Sequence, residues 1–504
     1  MIGRAGAIAA AVTAVAVSAA CGARLTPAQT AELDRRAAVR PVITQTGVYA
    51  PVVAPAATAV AGPAPVGVPV ATSAAAPGAG PVAPFATTGP TTAAPRGPAS
   101  RAVTPPPHAG ADTGDVSIDP KVCAAAADAP GVTATEVDLG NVSTLTGPIP
   151  GLFVGAVHGT QAFAAYLNSR GGICGRKVVV KAADDNLQVS QNEAATSSLK
   201  DSVFAFVGSF SGDDQGMPTA LAGSDAVDIG EALATTRFRA PNNFSPEPID
   251  GWNVAPYLLY KQLFPDAVKH MAILGVNQAA AVKAYRDEKA ALLSAGYTFV
   301  YDDPNVEPTQ TDFTADAQEM KAKGAQGVVF AAAELGAHLA KAVQDAGISP
   351  FPLGNYSSGA YDQAFLAKTG DAAEGITLEI AEAMYQGEDA QAVPMVATFN
   401  RWYRALYQQA PDEYAMYAWM SGLLLVDGLN RGGALTRAAL QKGLGKVTQF
   451  DGGGMVATND PAHKKPPTCY LIVDVQGGRF VRDPTDPPTG FNCRFAPSYY
   501  VSTG

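Results

Sequence analysis

One structural pattern occurs twice in this chain, and the repeat constrains the fold more than any other feature of its 504 residues. Residues 137–186 show an apolar strand, a polar loop, a helix with apolar side chains on one face, a glycine turn, and a second strand ending in two aspartates. Residues 271–305 repeat this order and end at Asp302 and Asp303. Strands that alternate with helices predict parallel sheets covered on both faces. The repeat therefore predicts two similar α/β lobes.

Further elements complete this pattern. Ser190 and Glu193 have the spacing of a capping box, which predicts that a helix begins there. In open parallel sheets, ligands bind outside the carboxyl ends of the strands, so a binding site is expected in the loops that follow strands. The other predicted elements are strands at 203–207 and 327–331, helices at 337–346, 395–408 and 416–431, and a strand pair joined at Gly477 and Gly478.

The first residues have the layout of a secretory signal peptide. A positively charged start precedes an apolar run at 5–20, which is shorter than the roughly 20 residues that span a bilayer. Cys21 resembles the lipidated cysteine of bacterial lipoproteins, although Ser18 stands where an aliphatic residue is usual. These features predict a signal peptide at 1–21 and export to the cell envelope, with lipidated Cys21 anchoring the protein to the outer face of the cell membrane. Ordinary cleavage just before Cys21 is the alternative.

A long segment of unusual composition follows the signal peptide. Residues 22–118 consist mainly of Ala, Pro, Thr, Val and Gly and show neither a helical nor a strand period, apart from one candidate helix at 27–39. Such a segment cannot bury enough apolar surface to offset its ordering entropy. It is predicted to be a disordered tether with a reach of roughly 50–60 Å, which holds a folded domain away from a membrane.

Four cysteines remain if Cys21 carries a lipid. In an exported protein, an even set predicts two disulfides, and four cysteines allow three connectivities. Chain proximity favours Cys123–Cys174 and Cys469–Cys493. A zinc site built from all four thiolates is the alternative, although the chain has no CxxC spacing.

Charge and motifs argue against nucleic-acid binding and catalysis. The net charge of −10 leaves nothing to neutralise phosphates. The five histidines form no ligand-spaced pair, and GSFSG has Phe210 where a nucleophile elbow needs serine. The chain is therefore predicted not to be an enzyme and to need neither a cofactor nor a metal. A hydrolase acting on envelope material is a minor alternative.

Four segments occur in a familiar order: TLTGP, GGICGRKVVVKAADDN, FAFVGSFSG and GDAAEGI. Together they resemble the type I periplasmic binding proteins of the leucine/isoleucine/valine-binding kind, which are the substrate-binding subunits of ABC importers and include amino-acid transport proteins. The resemblance covers about 131–482. It implies a Venus-flytrap fold, in which two Rossmann-like lobes are joined by three crossovers and close on a small solute. The implied lobes are 119–255 with 386–450, and 256–385 with 451–504.

The same resemblance implies a function and partners. The protein would be the extracytoplasmic solute-binding component of an ABC-type importer, would bind a small polar solute by hinge closure, and would then dock on a membrane permease. A ligand-sensing receptor or scaffold lipoprotein of the same fold, without transport, is the alternative.

The family's ligand contacts carry over only in part. Its carboxylate-binding loop corresponds to the loop with Ser209 and Ser211, but Asp213 and Asp214 beside them would repel an anionic ligand. Glu231 lies in the second carboxylate-binding segment. A solute with a cationic or polyhydroxyl group is therefore expected rather than leucine. The candidates in the second lobe are Gln278, where the amino-acid binders place an aromatic residue, Tyr356, near their ammonium-binding acid, and Glu334 as a substitute for that acid.

Several of these residues also have structural interpretations. The loop at 209–214 is alternatively a solvated turn that caps the next helix. Asp184 and Asp185 are interpreted as architecture, because the second half of the repeat carries the same pair. The tryptophans are predicted to pack in the core or between the lobes: Trp252, Trp402 and Trp419.

Overall fold

The computed structural model describes residues 116–348, 358–495 and 500–503, all of which fall in one compact unit. The predicted signal peptide, Cys21, the candidate helix at 27–39, nearly all of the tether, and Tyr356 lie outside the described residues. Within the described ranges, no helix combines the length and apolar character needed to cross a membrane.

The first part of the chain forms a five-stranded parallel sheet in the order β2-β1-β3-β4-β5. The predicted strand pair is confirmed, and Val137 lies opposite Val178 in its register. The strands are β1 (Glu136–Ser143), β2 (Lys177–Asp184), β3 (Ala205–Val207), β4 (Val227–Ile229) and β5 (Asn243–Phe244). The helices are α1 (Pro120–Ala124), α2 (Val154–Ser169), α3 (Val189–Leu199), α4 (Gly216–Ala220) and α5 (Thr235–Phe238).

A second parallel sheet follows, in the order β8-β7-β9, as the sequence repeat predicts. Its strands alternate with helices, so the βαβαβ pattern recurs. The elements are β6 (Trp252–Asn253), α6 (Ala255–Leu263), β7 (Met271–Val276), α7 (Ala279–Ala295), β8 (Phe299–Val306), α8 (Thr314–Ala322), β9 (Gly327–Phe330) and α9 (Ala333–Asp345).

The remaining chain adds three helices, a short helix and an antiparallel sheet in the order β10-β11-β12. Gly477 and Gly478 join β11 to β12 with φ angles of 59° and 68°, a left-handed backbone that favours glycine. The elements are α10 (Gln363–Thr369), β10 (Thr377–Ile380), α11 (Pro394–Tyr407), α12 (Glu413–Gly432), α13 (Arg437–Leu444), β11 (Leu471–Gln476), β12 (Arg479–Arg482) and β13 (Tyr500–Val501), which pairs with β6.

Helix α12 packs directly on α2. Gly159 permits this approach, because a Cβ there would lie 2.2 Å from the carbonyl oxygen of Ala415. Trp419 is fully buried and its ring lies 5.3 Å from that of Phe163. Trp402 is also buried, so the core prediction holds for these two tryptophans.

Both predicted disulfides are present. Cys123–Cys174 ties α1 to the turn between α2 and β2, and Cys469–Cys493 ties the segment before β11 to a later loop. Because all four thiols are used, the zinc alternative is wrong. Closing loops of this size restricts the unfolded chain and stabilises the fold by about 3–4 kcal/mol per bridge.

The paired aspartates are architecture, as predicted. Asp184 accepts hydrogen bonds from the backbone N–H groups of Leu145 and Asn186, at 2.9 Å each. Asp185 is fully buried and accepts from the Thr144 hydroxyl at 2.7 Å. The two carboxylates therefore fix the loop between β1 and α2.

The predicted capping box is wrong. Helix α3 begins at Val189, one residue earlier, and its N-cap residue Gln188 makes no side-chain capping bond. The Asn192 side chain instead donates to Asp185 at 2.8 Å. The helix start is thus fixed by the buried carboxylate of the preceding strand end rather than by Ser190.

Candidate functional site

A cavity of about 340 Å³ lies at the carboxyl ends of strands from both parallel sheets. Glu231 and Glu247 follow β4 and β5 of the first sheet, and Ala331 follows β9 of the second. Its other polar and aromatic lining residues come from separate segments: Phe153, Phe210, Trp252, Asn253, Lys283, Asp287, Glu379, Glu382, Glu413, Tyr414, Tyr417, Tyr470 and Tyr500. The cavity therefore occupies the position that open α/β sheets use for ligands.

Four buried glutamates dominate the electrostatics of this cavity. Glu231 accepts a hydrogen bond from Ser245 Oγ at 2.5 Å, and Glu413 accepts one from the Tyr417 hydroxyl at 2.7 Å. The other two are Glu247 and Glu382, which are 1% and 2% exposed. Six carboxyl groups and one ammonium line the cavity among the described residues, so its potential is negative when the acids are ionised.

Glu247 and Glu382 face each other. The Oε2 atom of each receives no hydrogen bond from another described donor. Burial raises the pKa of Glu247 well above its ordinary value, and the charges of Glu382 and Glu231 raise it further. Burial also raises the pKa of Glu231 to about 8, although Ser245 and Arg237 oppose the rise.

The Lys283 ammonium, which lies in the wall of the cavity, is already paired with carboxylates. Lys283 Nζ lies 3.0 Å from Asp250 and 2.6 Å from Asp287. On the same side, Glu379 of β10 lies half-buried beside Trp252 and Tyr257. Burial raises the pKa of Glu379 to about 8, while hydrogen bonding from these two side chains opposes the rise.

An aromatic cluster forms another wall. The Phe153 ring lies 4.8 Å from that of Phe210 and 4.6 Å from that of Tyr414. Phe210 also stacks parallel to Tyr417 at 6.0 Å. This arrangement places apolar ring faces next to the glutamates, since the Tyr417 hydroxyl bonds to Glu413.

Among the sequence-predicted ligand residues whose side chains the structure describes, Glu231 lines the cavity, and the others lie outside its lining. Ser209 Oγ accepts from the backbone N–H of Val142 at 3.0 Å, within the first sheet. Ser211 Oγ accepts from the Thr144 hydroxyl at 3.2 Å and from the backbone N–H of Asp213 at 3.0 Å. Both hydroxyls therefore fix the loop and lie outside the cavity lining.

Asp214 is also used inside the first sheet. It accepts from the backbone N–H groups of Leu233 and Ala234 at 2.9 and 2.8 Å and forms an ion pair with Arg237 at 3.2 Å. Asp213 is half-buried, and burial followed by the nearby charge of Asp185 raises its pKa. These two acids position the loops around Glu231.

Of the candidates in the second half, the described residue Gln278 lies outside the cavity lining. Gln278 is the N-cap residue of α7, and its Nε2 lies 3.3 Å from where a Cβ on Gly212 would be. Gln278 thus reaches the loop that carries Ser211. Glu334 lies in the first turn of α9, and its side chain, like Tyr356, is outside the described structure.

Sequence reasoning missed most of the cavity acids. Glu247 follows β5, which has two residues, and Glu382 follows β10, which has four, so neither strand had a recognisable alternation. Glu413 sits in the first helical turn of α12 after the N-cap residue Asp412, where an acid has an ordinary helix-stabilising explanation. The nearest available signal was the general rule that loops after strands carry ligand contacts.

No three His, Cys, Asp or Glu side chains converge closely enough to hold a metal ion, as far as the structure describes the chain. The carboxyls of the cavity are therefore spread over its walls and do not form one coordination sphere.

Two parallel α/β sheets that share one cavity at their strand ends define the class of bilobal solute-binding proteins. The chain belongs to the periplasmic binding protein family, because residues 136–479 match the sequence model described as Periplasmic binding protein. The predicted type I periplasmic binding protein fold is confirmed, and the family places the protein outside the cytoplasm, in the cell envelope.

Individual relatives agree with this assignment. The Leu/Ile/Val-binding protein homolog 3 of Brucella melitensis is 28% identical over 233 residues, which cover 44% of this chain and 61% of that protein. The fatty acid ABC transporter substrate-binding protein from Thermomonospora curvata has a TM-score of 0.59 and 20% identity, covering 74% of this chain and 96% of that one.

A further solved structure with the same fold is the branched-chain amino acid transporter substrate binding protein from Streptococcus pneumoniae, in complex with isoleucine. Its TM-score is 0.54 at 16% identity, covering 69% of this chain and all of that one. At such identities the structural likeness concerns the fold, and the match to the curated relative spans less than two thirds of that protein.

Proposed function

We propose that this protein is the extracytoplasmic solute-binding component of an ABC-type importer and binds a small polar solute by hinge closure. The observation that carries the proposal is the shared cavity, because residues of both parallel sheets line it. Glu231 and Glu247 follow strands of the first sheet, while Ala331 follows β9 of the second sheet and Lys283 lies in α7, which joins two strands of that sheet. The relatives support the same assignment, since one is named as an ABC transporter substrate-binding protein and another as a transporter substrate binding protein.

The proposed mechanism is a population shift between an open and a closed arrangement of two lobes, 119–255 with 386–450 and 256–385 with 451–504. A solute that contacts both lobes binds the closed form better, and it biases the equilibrium only by that difference in affinity. In this proposal, the close approach of Gln278 to the loop at Gly212 belongs to the closed arrangement. Closure would present a surface that a membrane permease recognises.

The N-terminal segment has a proposed role in this mechanism. Cleavage before Cys21 and lipidation of its thiol would attach the protein to the outer face of the cell membrane. Residues 22–118 would then act as a tether that lets the binding domain capture solute and dock on the permease.

Native mass spectrometry of the protein purified without refolding tests the proposed function. We expect a co-purified small molecule, which appears as a mass shift that denaturation removes. Melting-temperature screening with a broad metabolite set is the second arm. If no molecule co-purifies and no metabolite shifts the melting temperature, solute binding is contradicted.

Uptake of the identified solute separates transport from sensing. Cells that lack the protein should lose uptake, and the wild-type chain should restore it. If the solute binds but uptake is unchanged, the receptor alternative replaces the importer.

A further inference from the structure

The strongest unexplained feature of the cavity is its set of buried carboxyl groups, two of which have oxygens without partners among the described residues. Glu231, Glu247, Glu382 and Glu413 are all at least nine-tenths buried and come from four different segments. The Oε2 atoms of Glu247 and Glu382 lack donors among the described residues. A buried carboxyl without a partner costs free energy, so the fold maintains a site whose partner is supplied from elsewhere.

The positive groups closest to these acids are already engaged. Arg237 is bound by Asp214 and Asp228, and Lys283 is bound by Asp250 and Asp287. Lys464 donates to the carbonyl oxygen of Asn243 at 2.6 Å, and burial lowers its pKa to about 8. These contacts hold the cations at the edge of the acidic cluster.

The aromatic wall indicates the chemistry of the group that would bind next to these acids. The rings of Phe153, Phe210, Tyr414 and Tyr417 lie within 6.0 Å of one another in successive pairs. Burial raises the pKa of Tyr417 well above its ordinary value, and the nearby charges of the four glutamates raise it further. Ring faces next to carboxylates attract a cation through the ring quadrupole and through charge.

The geometry points to an organic cation as the solute: an amine or quaternary ammonium whose charged end meets Glu247 and Glu382 and whose apolar body packs against the aromatic wall. This inference rests on the proposed solute-binding function and specifies its ligand class. An anionic ligand is disfavoured because the hydroxyls of Ser209 and Ser211 are bound inside the first sheet. A metal is disfavoured because no described group of acids converges on one point.

Binding of such a cation is coupled to proton release. Glu231 holds a proton in the empty cavity near neutral pH, because burial raises its pKa to about 8. Burial also raises the pKa of Glu247 well above its ordinary value. A cation favours the ionised form, so each carboxyl that ionises on binding releases one proton to solvent. The titratable and charged groups that face these two acids are Glu382, Glu413, Tyr417, Tyr500, Arg237 and Lys464. Affinity should therefore rise with pH up to about pH 8.

Calorimetry with matched probes tests the charge requirement. Phenethylamine, 2-phenylethanol and phenylacetate share a ring and differ in the charge of the head group, and short alkylamines with their alcohol and carboxylate counterparts extend the set. We expect the amines alone to bind, at least tenfold more tightly than their counterparts, with proton uptake by the buffer. Equal or tighter binding of alcohols or carboxylates would overturn the inference, as would a set in which nothing binds.

Variants of Glu247 and Glu382 test where the charged group of the solute binds. Glu247→Gln and Glu382→Gln should each weaken amine binding at least tenfold and reduce the pH dependence, while the melting temperature of the empty protein stays equal or rises. Glu307→Gln, at an exposed site away from the cavity, is the matched control and should bind as wild type. Unchanged binding in both cavity variants would refute the site. A co-purified neutral or anionic solute would overturn the cation inference and leave the proposed function standing.

Discussion

Arg237 organises the rim of the cavity from a fully buried position. It is 1% exposed and bonds to both oxygens of Asp228 at 2.9 Å, to Asp214 at 3.2 Å, and to the carbonyl oxygens of Glu231 and Ser209. One guanidinium therefore connects β4 with the loops that follow β3 and β4. Its planar fork explains why arginine rather than lysine suits this position.

Removing this charge should be costly. In Arg237→Met, the carboxylates of Asp214 and Asp228 stay buried without their partner, so we expect a loss of about 3–5 kcal/mol in the free energy of unfolding, measured by urea denaturation. Arg239→Met is the control two residues away, because Arg239 is 66% exposed and its pair with Asp250 is worth at most about 1 kcal/mol. Equal losses in both variants would contradict the role assigned to Arg237.

We expect the protonation of Glu379 to make the empty protein more stable at low pH than at high pH. Its pKa is 4.5 when exposed and about 8 when buried, so the folded state keeps a proton that the unfolded chain releases. The stability from this group is full below about pH 4.5 and decreases as the pH rises to about 8. The wild-type melting temperature should fall from about pH 5 to 8, and Glu379→Gln should lessen that fall and raise the value at pH 8.

The control is Glu307→Gln. Its melting temperature should depend on pH as that of the wild type does, since Glu307 is exposed. The groups next to Glu379 do not produce the fall in melting temperature between these pH values. Tyr257 and Trp252 bond to it, and the nearby Tyr297, Tyr470 and Tyr500 have pKa values raised by burial. A melting temperature that rises between those pH values would show that Glu379 is ionised in the folded protein.

Single residues were the least predictable feature of the site. Glu231 was predicted because its loop resembles the family's second carboxylate-binding segment, and it lines the cavity. Ser209 and Ser211 were predicted on the same grounds, because they lie in the loop that resembles the family's carboxylate-binding loop. Their hydroxyls instead bind groups 67 residues away in sequence. Whether a hydroxyl faces a ligand or a neighbouring strand depends on packing, which a local pattern does not contain.

At the scale of elements, the sequence predicted those that repeat. The strands at 137–142 and 178–182 are confirmed in β1 and β2, and the glycine pair ends α2 as predicted. The short strands β5, β6 and β13 have two residues each and were not predicted. Strands of that length have no alternation to detect, and their pairing depends on distant chain segments.

The packing of α12 on α2 gives a prediction at this scale. In Gly159→Ala, the new Cβ would lie 2.2 Å from the backbone oxygen of Ala415, and no rotamer change can relieve a backbone clash. We expect a loss of about 1–3 kcal/mol in the free energy of unfolding, which exceeds the gain of up to about 1 kcal/mol in helix propensity. Chemical denaturation provides the measurement.

Gly445→Ala is the matched control for this substitution. Its Cβ would meet atoms at 3.5 Å and beyond, which is ordinary contact, and its φ of −63° suits alanine. It should change the free energy of unfolding by less than about 0.5 kcal/mol. A comparable loss in both variants would mean that the close approach of the two helices is not what Gly159 provides.

At the scale of the whole molecule, the two parallel sheets follow from the sequence repeat, whereas the cavity between their strand ends does not. Its four buried glutamates come from loops after β4, β5 and β10 and from the start of α12, segments that span 231–413. The repeat specifies each half by local patterns. The chemistry of the cavity arises where unlike segments meet, so the ligand class could be argued only from the structure.

Closure itself is tested at the contact between the halves. Gly212 lies in the loop after β3, and a Cβ there would be 2.6 Å from Leu187 Cδ1 and 3.3 Å from Gln278 Nε2. Gly212→Leu should hold the loop and the start of α7 apart and disfavour the closed form. Because a solute shifts the equilibrium only by its differential affinity, affinity for the co-purified solute should fall at least tenfold. The melting temperature of the empty protein should change little, since Leu187 can move aside.

Gln278→Ala removes the contact without adding bulk and should weaken binding far less. Solute-dependent compaction in small-angle scattering should be present in the wild type and in Gln278→Ala and reduced in Gly212→Leu. Binding and compaction that match the wild type in all variants would show that the solute is held without closure at this contact.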